Sequence, residues 1–297
     1  MKKLYGIVCA NVTPMDETGN IDFESLKNLV DCMARDGIHG VYPCGTNGEG
    51  LLLTAEEHHA VAQTVIEQNR GRMSAFIQCA VLHWADTMEN IRFACETGAD
   101  GVGVMTPTFY KADDAAMIEY YREACLAAGD KPVYLYNIAK YTNNDISPKA
   151  YGQIVDQNPN VMGIKYSNSD IARIQDYMRA GSRPSEALTG ADSYILSALA
   201  AGCVGEVSGP ACVFPKWYVG AYESFLAGDH KLALEYQNRI VACSRSIKPV
   251  PQIPAIKAML RMKSVIRTDV CRRPFRRLNA EEYRLLENAL KMYESDF

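Results

Sequence analysis

A chain of 297 residues is long enough for one large core, and α/β barrels of about 250 residues commonly form a single unit. Its 48% apolar and 22% charged residues are the balance of a folded globular protein and exclude disordered and fibrous classes. A formal net charge of -4 and the lack of a long Lys/Arg run leave no electrostatic footprint for nucleic acid.

The densest basic stretch, Arg272-Arg273-Pro274-Phe275-Arg276-Arg277, reads as a solvated loop ahead of the last helix. The opening MKKLYGIVCANVTP contains an apolar run too short for a secretory signal or a membrane span, so a cytoplasmic protein with no membrane partner is expected. Ten cysteines lie scattered, without a CxxC pair and mostly inside apolar segments, and are expected to behave as small buried hydrophobes. The five histidines lack ligand spacing relative to any cysteine cluster, so no metal site is expected.

Along the chain, short β-branched or apolar runs alternate with longer segments of helical period, the signal of a parallel sheet. Strands are predicted at GIVCANV around Ile7, GVYPC around Val41, AFIQCAV around Ile77 and GVGVM around Val104, then at PVYLYN around Tyr134, VMGIK around Ile164, ALTG around Leu188 and CVGEVSG around Val207. Helices are predicted over Asp22 to Arg35, Thr54 to Asn69, Asp86 to Thr97, Ala112 to Ala128 and Ser147 to Gln157. Thr54-Ala-Glu-Glu57 is a capping box and Ser147-Pro148 puts proline at the first helical position. Eight such units point to a (β/α)8 TIM barrel. Beyond the eighth strand, helices are predicted over Trp217 to Ala227, Lys231 to Ser244, Ile253 to Met262 and Ala280 to Ser295. The first closes a barrel over residues 1–228, and the other three form a small helical appendage over 229–297, entered through the proline-rich Lys248 to Pro254 stretch.

In a barrel, function gathers where strands end and βα-loops begin. Three places qualify. Gly45-Thr46-Asn47-Gly48-Glu49-Gly50 follows the second strand, and its glycines, backbone N–H groups, Thr46 hydroxyl and Asn47 amide suit a carboxylate; taken alone it is simply a turn. Tyr136-Asn137 ends the fifth strand; Tyr136 is either a rim residue or a proton donor and acceptor. Lys165 ends the sixth. Strand-end lysines usually reach for water, but a buried one is a nucleophile, since desolvation favours the neutral amine.

Together with Val12-Thr13-Pro14-Met15, Leu53-Thr54-Ala-Glu-Glu57, Gly98-Ala-Asp-Gly101, Thr106-Pro107 and Val207-Ser208-Gly209, these segments resemble, in order and spacing, the pyruvate-dependent class I aldolase family of dihydrodipicolinate synthase and N-acetylneuraminate lyase. The resemblance spans nearly the whole chain and implies a lyase acting on a 2-keto acid, with Lys165 as the Schiff-base lysine, Tyr136 as the proton-relaying tyrosine, and Thr46 and Asn47 as the carboxylate cradle; Thr46 also counts among the catalytic residues and Gly48 among the substrate-binding ones. No cofactor is implied beyond the covalent Schiff base on Lys165, and family members are usually homotetramers, dimers of dimers.

Departures from the pattern bear on the substrate. The arginine that follows Tyr-Asn in the dihydrodipicolinate-forming synthases is Tyr141 here, with Lys140 beside it, and a point charge one position away does not reproduce a bidentate fork. The paired tyrosines after Thr-Pro become Thr108 and Phe109, leaving Tyr110 as a displaced catalytic equivalent or a packing residue. Ser167, Asp192 and Ser208 resemble substrate contacts of the sialate lyases, although Ser193 replaces a glutamate, and Val207 is expected among the substrate-binding residues. A 2-keto-3-deoxy sugar acid or sialic-acid-like substrate is therefore expected, with dihydrodipicolinate synthase as the alternative. A non-catalytic keto-acid binder is disfavoured by the retention of both Lys165 and Tyr136, and the ligand set of a metal-dependent aldolase is missing.

Overall fold

The computed structural model describes residues 2–295. Strands β1 (Gly6–Cys9), β2 (Gly40–Val41), β3 (Ser74–Gln78), β4 (Gly101–Met105), β5 (Val133–Asn137), β6 (Val161–Tyr166), β7 (Glu186–Thr189) and β8 (Gly205–Ser208) form a closed parallel barrel in chain order, β8 pairing back onto β1. Both faces of the wall are covered, which is why the strands read as continuous apolar runs without alternation. All eight lie where predicted, but they are shorter than the apolar runs. The last residues of GVYPC and AFIQCAV have already left the sheet and start the loops at the barrel mouth.

Helices α1 (Phe23–Arg35), α2 (Ala55–Asn69), α3 (Trp84–Thr97) and α4 (Asp114–Ala128) follow the first four strands, and the short α5 (Ala139–Thr142) precedes α6 (Pro148–Gln157). Thr54 and Glu57 form the predicted capping box, and the Ser147 hydroxyl caps α6 ahead of Pro148. No segment between β6 and β8 is singled out as a helix by its sequence, yet α7 (Ile171–Arg179) and α8 (Ile195–Ala200) lie there. Asp170 caps α7, whereas α8, at six residues, spans less than two turns and has no side-chain cap. The chain ends in α9 (Pro215–Leu226), α10 (His230–Ser246), α11 (Gln252–Met262) and α12 (Ala280–Glu294).

The proline-rich stretch separates α10 from α11, and Gln252, Ile253 and Pro254 already form the first turn of α11, where a missing N–H is harmless. One apolar core runs from Leu26 and Val30 of α1 through Trp217 and Ile240 to Ile256, Leu260 and Leu286, so the helices after α9 share it with the barrel wall. A second core fills the barrel and its outer wall from Phe76 to Tyr134.

All ten cysteines are free thiols, eight of them buried, and burial pushes the Cys125 thiol up to about 12, away from reactivity near neutral pH. Of the basic stretch, Arg272 is not a solvated side chain. Its guanidinium pairs with Glu57 and donates to the Leu52 and Gly19 carbonyls, while Arg276 pairs with Glu282 and Arg277 with Glu17. Among the described residues no helix is long and apolar enough to cross a membrane, and no cluster of His, Cys, Asp and Glu could hold a metal ion.

Candidate active site

Register places the reactive groups. Met105, Tyr136, Lys165 and Leu188 are successive partners across β4 to β7, and partners in a parallel sheet face the same side, so Tyr136 and Lys165 point together into the barrel at its C-terminal end. There a chamber of about 490 Å³ opens, lined by Thr46, Asn47, Tyr136, Lys165, Ser167 and Asp192 among others.

Lys165 is 4% exposed. Its Nζ lies 3.9 Å from the Tyr136 ring centroid and 4.9 Å from that of Tyr42, whose rings meet edge to face. No hydrogen bond or ion pair within the described residues engages this amine, so no protein group competes with a carbonyl carbon for it. The buried Tyr136 brings its hydroxyl within 3.3 Å of the Thr46 hydroxyl, which joins the β5 and β2 loops over the amine. Asn137 faces away, donating to Asp145 and the Tyr177 hydroxyl, and fixes the strand end rather than lining the chamber.

The loop after β2 is held from behind. The Gly48 carbonyl accepts from the Thr13 hydroxyl at 2.7 Å, and Gly48 itself packs against Cys44 and Asn11, outside the chamber. The backbone N–H groups of Thr46 and Asn47 donate to nothing in the described residues, so two donors and two side chains remain for an anion. Asn47 lies so close to Gly209 that a Cβ there would fall 2.4 Å from its amide nitrogen. Gly190 is constrained in the same way, its would-be Cβ lying 2.1 Å from the Ser167 hydroxyl.

The far wall is polar. Asp192 Oδ1 accepts from the Ser208 hydroxyl and, at 2.9 Å, from the Tyr218 hydroxyl, while its backbone carbonyl accepts from Gln237 at 2.9 Å. Asp192 lines the chamber, which puts its carboxyl within reach of a ligand hydroxyl. Burial pushes the Asp192 carboxyl up, against the pull of its hydroxyl donors and of Lys165. Ser208 and Val207 line the chamber, Ser208 with its proton spent on Asp192. Tyr141 stands at the mouth, and no arginine is among the lining residues. Tyr110 is 75% exposed, stacked edge-on to Phe109, and is not among the residues that line this chamber.

A family model for the dihydrodipicolinate synthetase family matches residues 3–293. The chain belongs to this family. A 4-hydroxy-tetrahydrodipicolinate synthase of Jannaschia sp. is 32% identical over 85% of this chain and 86% of its own, and an N-acetylneuraminate lyase of Rattus norvegicus is 33% identical over 80% and 76%. The crystal structure of dihydrodipicolinate synthase from Aquifex aeolicus superposes with a TM-score of 0.92 at 25% identity, over 98% of each chain. The fold is therefore the (β/α)8 barrel of this family, and the chain is a class I aldolase-like protein of a lyase family.

Within that family frame, several parts of the chamber come from residues that give no local signal. Gln252 and Ile253 of α11 and Phe275 of the following loop cover the chamber from the appendage, more than 80 positions after Lys165 in the chain. Behind the cradle, the Lys257 ammonium of α11 pairs with Glu49 in a fully buried ion pair, and Glu49 also accepts from the Arg272 backbone N–H at 2.8 Å. Tyr42, under the amine, follows a strand of only two residues. The histidines stay out of the chemistry: His58 is buried against the Gln78 carbonyl, and burial lowers it to about 4.

Proposed function

We propose that the chain is a Schiff-base-forming aldolase that breaks or makes the carbon–carbon bond next to a pyruvate unit, acting on a 2-keto-3-deoxy sugar acid or a sialic-acid-like substrate. The observation that carries this reading is the placement of the unengaged, buried Lys165 amine between two tyrosine rings, with Thr46 and Asn47 on one side and the hydroxyl and carboxylate wall of Ser167 and Asp192 on the other.

The keto acid's carboxylate takes the free N–H groups, hydroxyl and amide of Thr46 and Asn47, which sets its C2 carbonyl over Lys165. The amine attacks C2, water leaves, and the protonated imine that results draws electrons from C3. Tyr136 takes the C4 hydroxyl proton, the C3–C4 electron pair moves into an enamine, and the aldehyde departs. Protonation at C3 and hydrolysis return pyruvate and the free amine. No bound cofactor enters these steps.

The Asp192 carboxyl and the Ser167 hydroxyl suit substrate hydroxyls, and the lack of a lining arginine removes the fork that would hold a small acceptor's carboxylate. The second reading, 4-hydroxy-tetrahydrodipicolinate synthase, is supported by relatives of that name and by Lys140 at the chamber mouth. The two separate in one assay. Pyruvate release from 2-keto-3-deoxygluconate and N-acetylneuraminate, set against pyruvate consumption with aspartate semialdehyde, is expected to favour the sugar acids by at least about tenfold in kcat/KM, or about 1.4 kcal/mol; a preference for the semialdehyde overturns the substrate assignment.

Tyr136→Phe is expected to lower kcat by about 100- to 1,000-fold, the range of a lost general acid–base, while pyruvate still forms its adduct on Lys165. Near-wild-type turnover removes Tyr136 from the relay. A homotetramer is proposed with the family, and Tyr110 enters the chemistry only if assembly brings it to a chamber mouth. Sedimentation of the protein and turnover of Tyr110→Phe test both, a monomer with unchanged activity being the contrary result.

A further inference from the structure

Glu206, in the middle of β8, plays no part in the steps above, yet it is 0% exposed and no N–H or O–H of the described residues reaches either carboxyl oxygen. Its acidic neighbour is Asp192: Glu206 is the register partner of Thr189 and stands two residues before Ser208, whose hydroxyl donates to Asp192. Two carboxyl groups buried side by side do not both stay ionised. Asp192 already accepts from the Ser208 and Tyr218 hydroxyls, so it is the anion. Glu206 has no donor to stabilise a charge and is therefore the acid.

We propose that Glu206 is a proton-carrying positioning residue, whose protonated carboxyl donates to Asp192, orients that carboxylate toward the chamber and keeps a single negative charge on this wall. The groups that face it are Asp192 after β7, Tyr218 of α9, Lys165 of β6, Cys9 of β1 and Cys203 before β8. Lys165 is the one group among these that could carry a positive charge, so a second carboxylate on this wall has no partner of its own. Burial, then the neighbouring Asp192, pushes the Glu206 carboxyl far above the ordinary carboxylate range, in the same direction as the geometry. A hydroxylated substrate thus meets a carboxylate acceptor held by the Ser208 and Tyr218 hydroxyls and the Glu206 carboxyl.

This inference rests on the sugar-acid reading for its kinetic consequence but not for its protonation state, and the test separates the two. At neutral pH the infrared spectrum of the full-length protein is expected to contain a protonated-carboxyl C=O band that Glu206→Gln lacks; identical spectra in that region overturn the proposal whatever the substrate is. Because the folded pKa lies above the unfolded value near 4.5, the stabilisation from Glu206 is complete below that pH and is lost as pH rises through the folded pKa. The melting temperature of the wild type therefore falls more steeply with rising pH than that of Glu206→Gln, and parallel profiles count against it. Glu206→Leu, without a donor, is expected to raise KM for the sugar acid by about tenfold or more while the borohydride-trapped pyruvate adduct is retained. Glu206→Gln, which keeps a donor, restores KM; equal KM values for the Leu and Gln variants contradict a positioning role.

Discussion

Lys165→Ala is expected to lose at least about a thousandfold in kcat with the fold intact, because the nucleophile is removed and the remaining groups contribute binding and proton transfer only. The substitution empties a small volume beneath the Tyr42 and Tyr136 rings and breaks no hydrogen bond or ion pair of the described residues. Melting within a few degrees of the wild type should accompany the loss. Residual activity above about one part in a hundred, on protein free of wild-type contamination, would mean that bond cleavage does not pass through this amine.

The other large effect is on stability. Lys257→Met leaves Glu49 buried, with only the Arg272 N–H against it, and breaking a buried pair by removing one partner costs about 3–5 kcal/mol. Lys257 Nζ also donates to the Val270 carbonyl at 2.8 Å, so the loop between α11 and α12 loses its anchor too. Urea unfolding should show the unfolding free energy falling by that amount through a lower midpoint at an unchanged slope. Glu49→Gln/Lys257→Met, which removes the charge as well, is expected to recover part of the loss, whereas a single variant within about 1 kcal/mol of wild type would show the pair to be unimportant. Because Glu49, at φ 56°, closes the turn that carries Thr46 and Asn47, pyruvate binding should weaken in the single variant.

What could be read from the sequence follows from where the determinants lie. The strands and most helices are set by local patterns: apolar runs for a sheet covered on both faces, capping residues at Thr54 and Ser147, proline after the cap. Lys165 and Tyr136 were legible because each is a polar residue at the end of an apolar strand, and the register then brings them together. Gln252, Ile253, Phe275 and Lys257 were not, since each lies in or beside an ordinary amphipathic helix and reaches the site only through the packing of α11 over the barrel mouth. Glu206 gave a weak signal: a carboxylate in the run Cys203-Val-Gly-Glu-Val-Ser208 is out of place in a covered strand, and a charge there demands a partner or a proton. Tyr110 lies close in sequence to a family motif, but within a single chain it is turned out to solvent, a placement that the local sequence pattern does not reveal.

The central claim is that Lys165 forms an imine with a 2-keto acid, and the most direct test is to incubate the protein with pyruvate, reduce with borohydride and map the modified peptide. One stable adduct is expected, confined to the peptide that carries Lys165 and missing from Lys165→Ala. Folded protein that yields no adduct, or an adduct on another lysine, would contradict it.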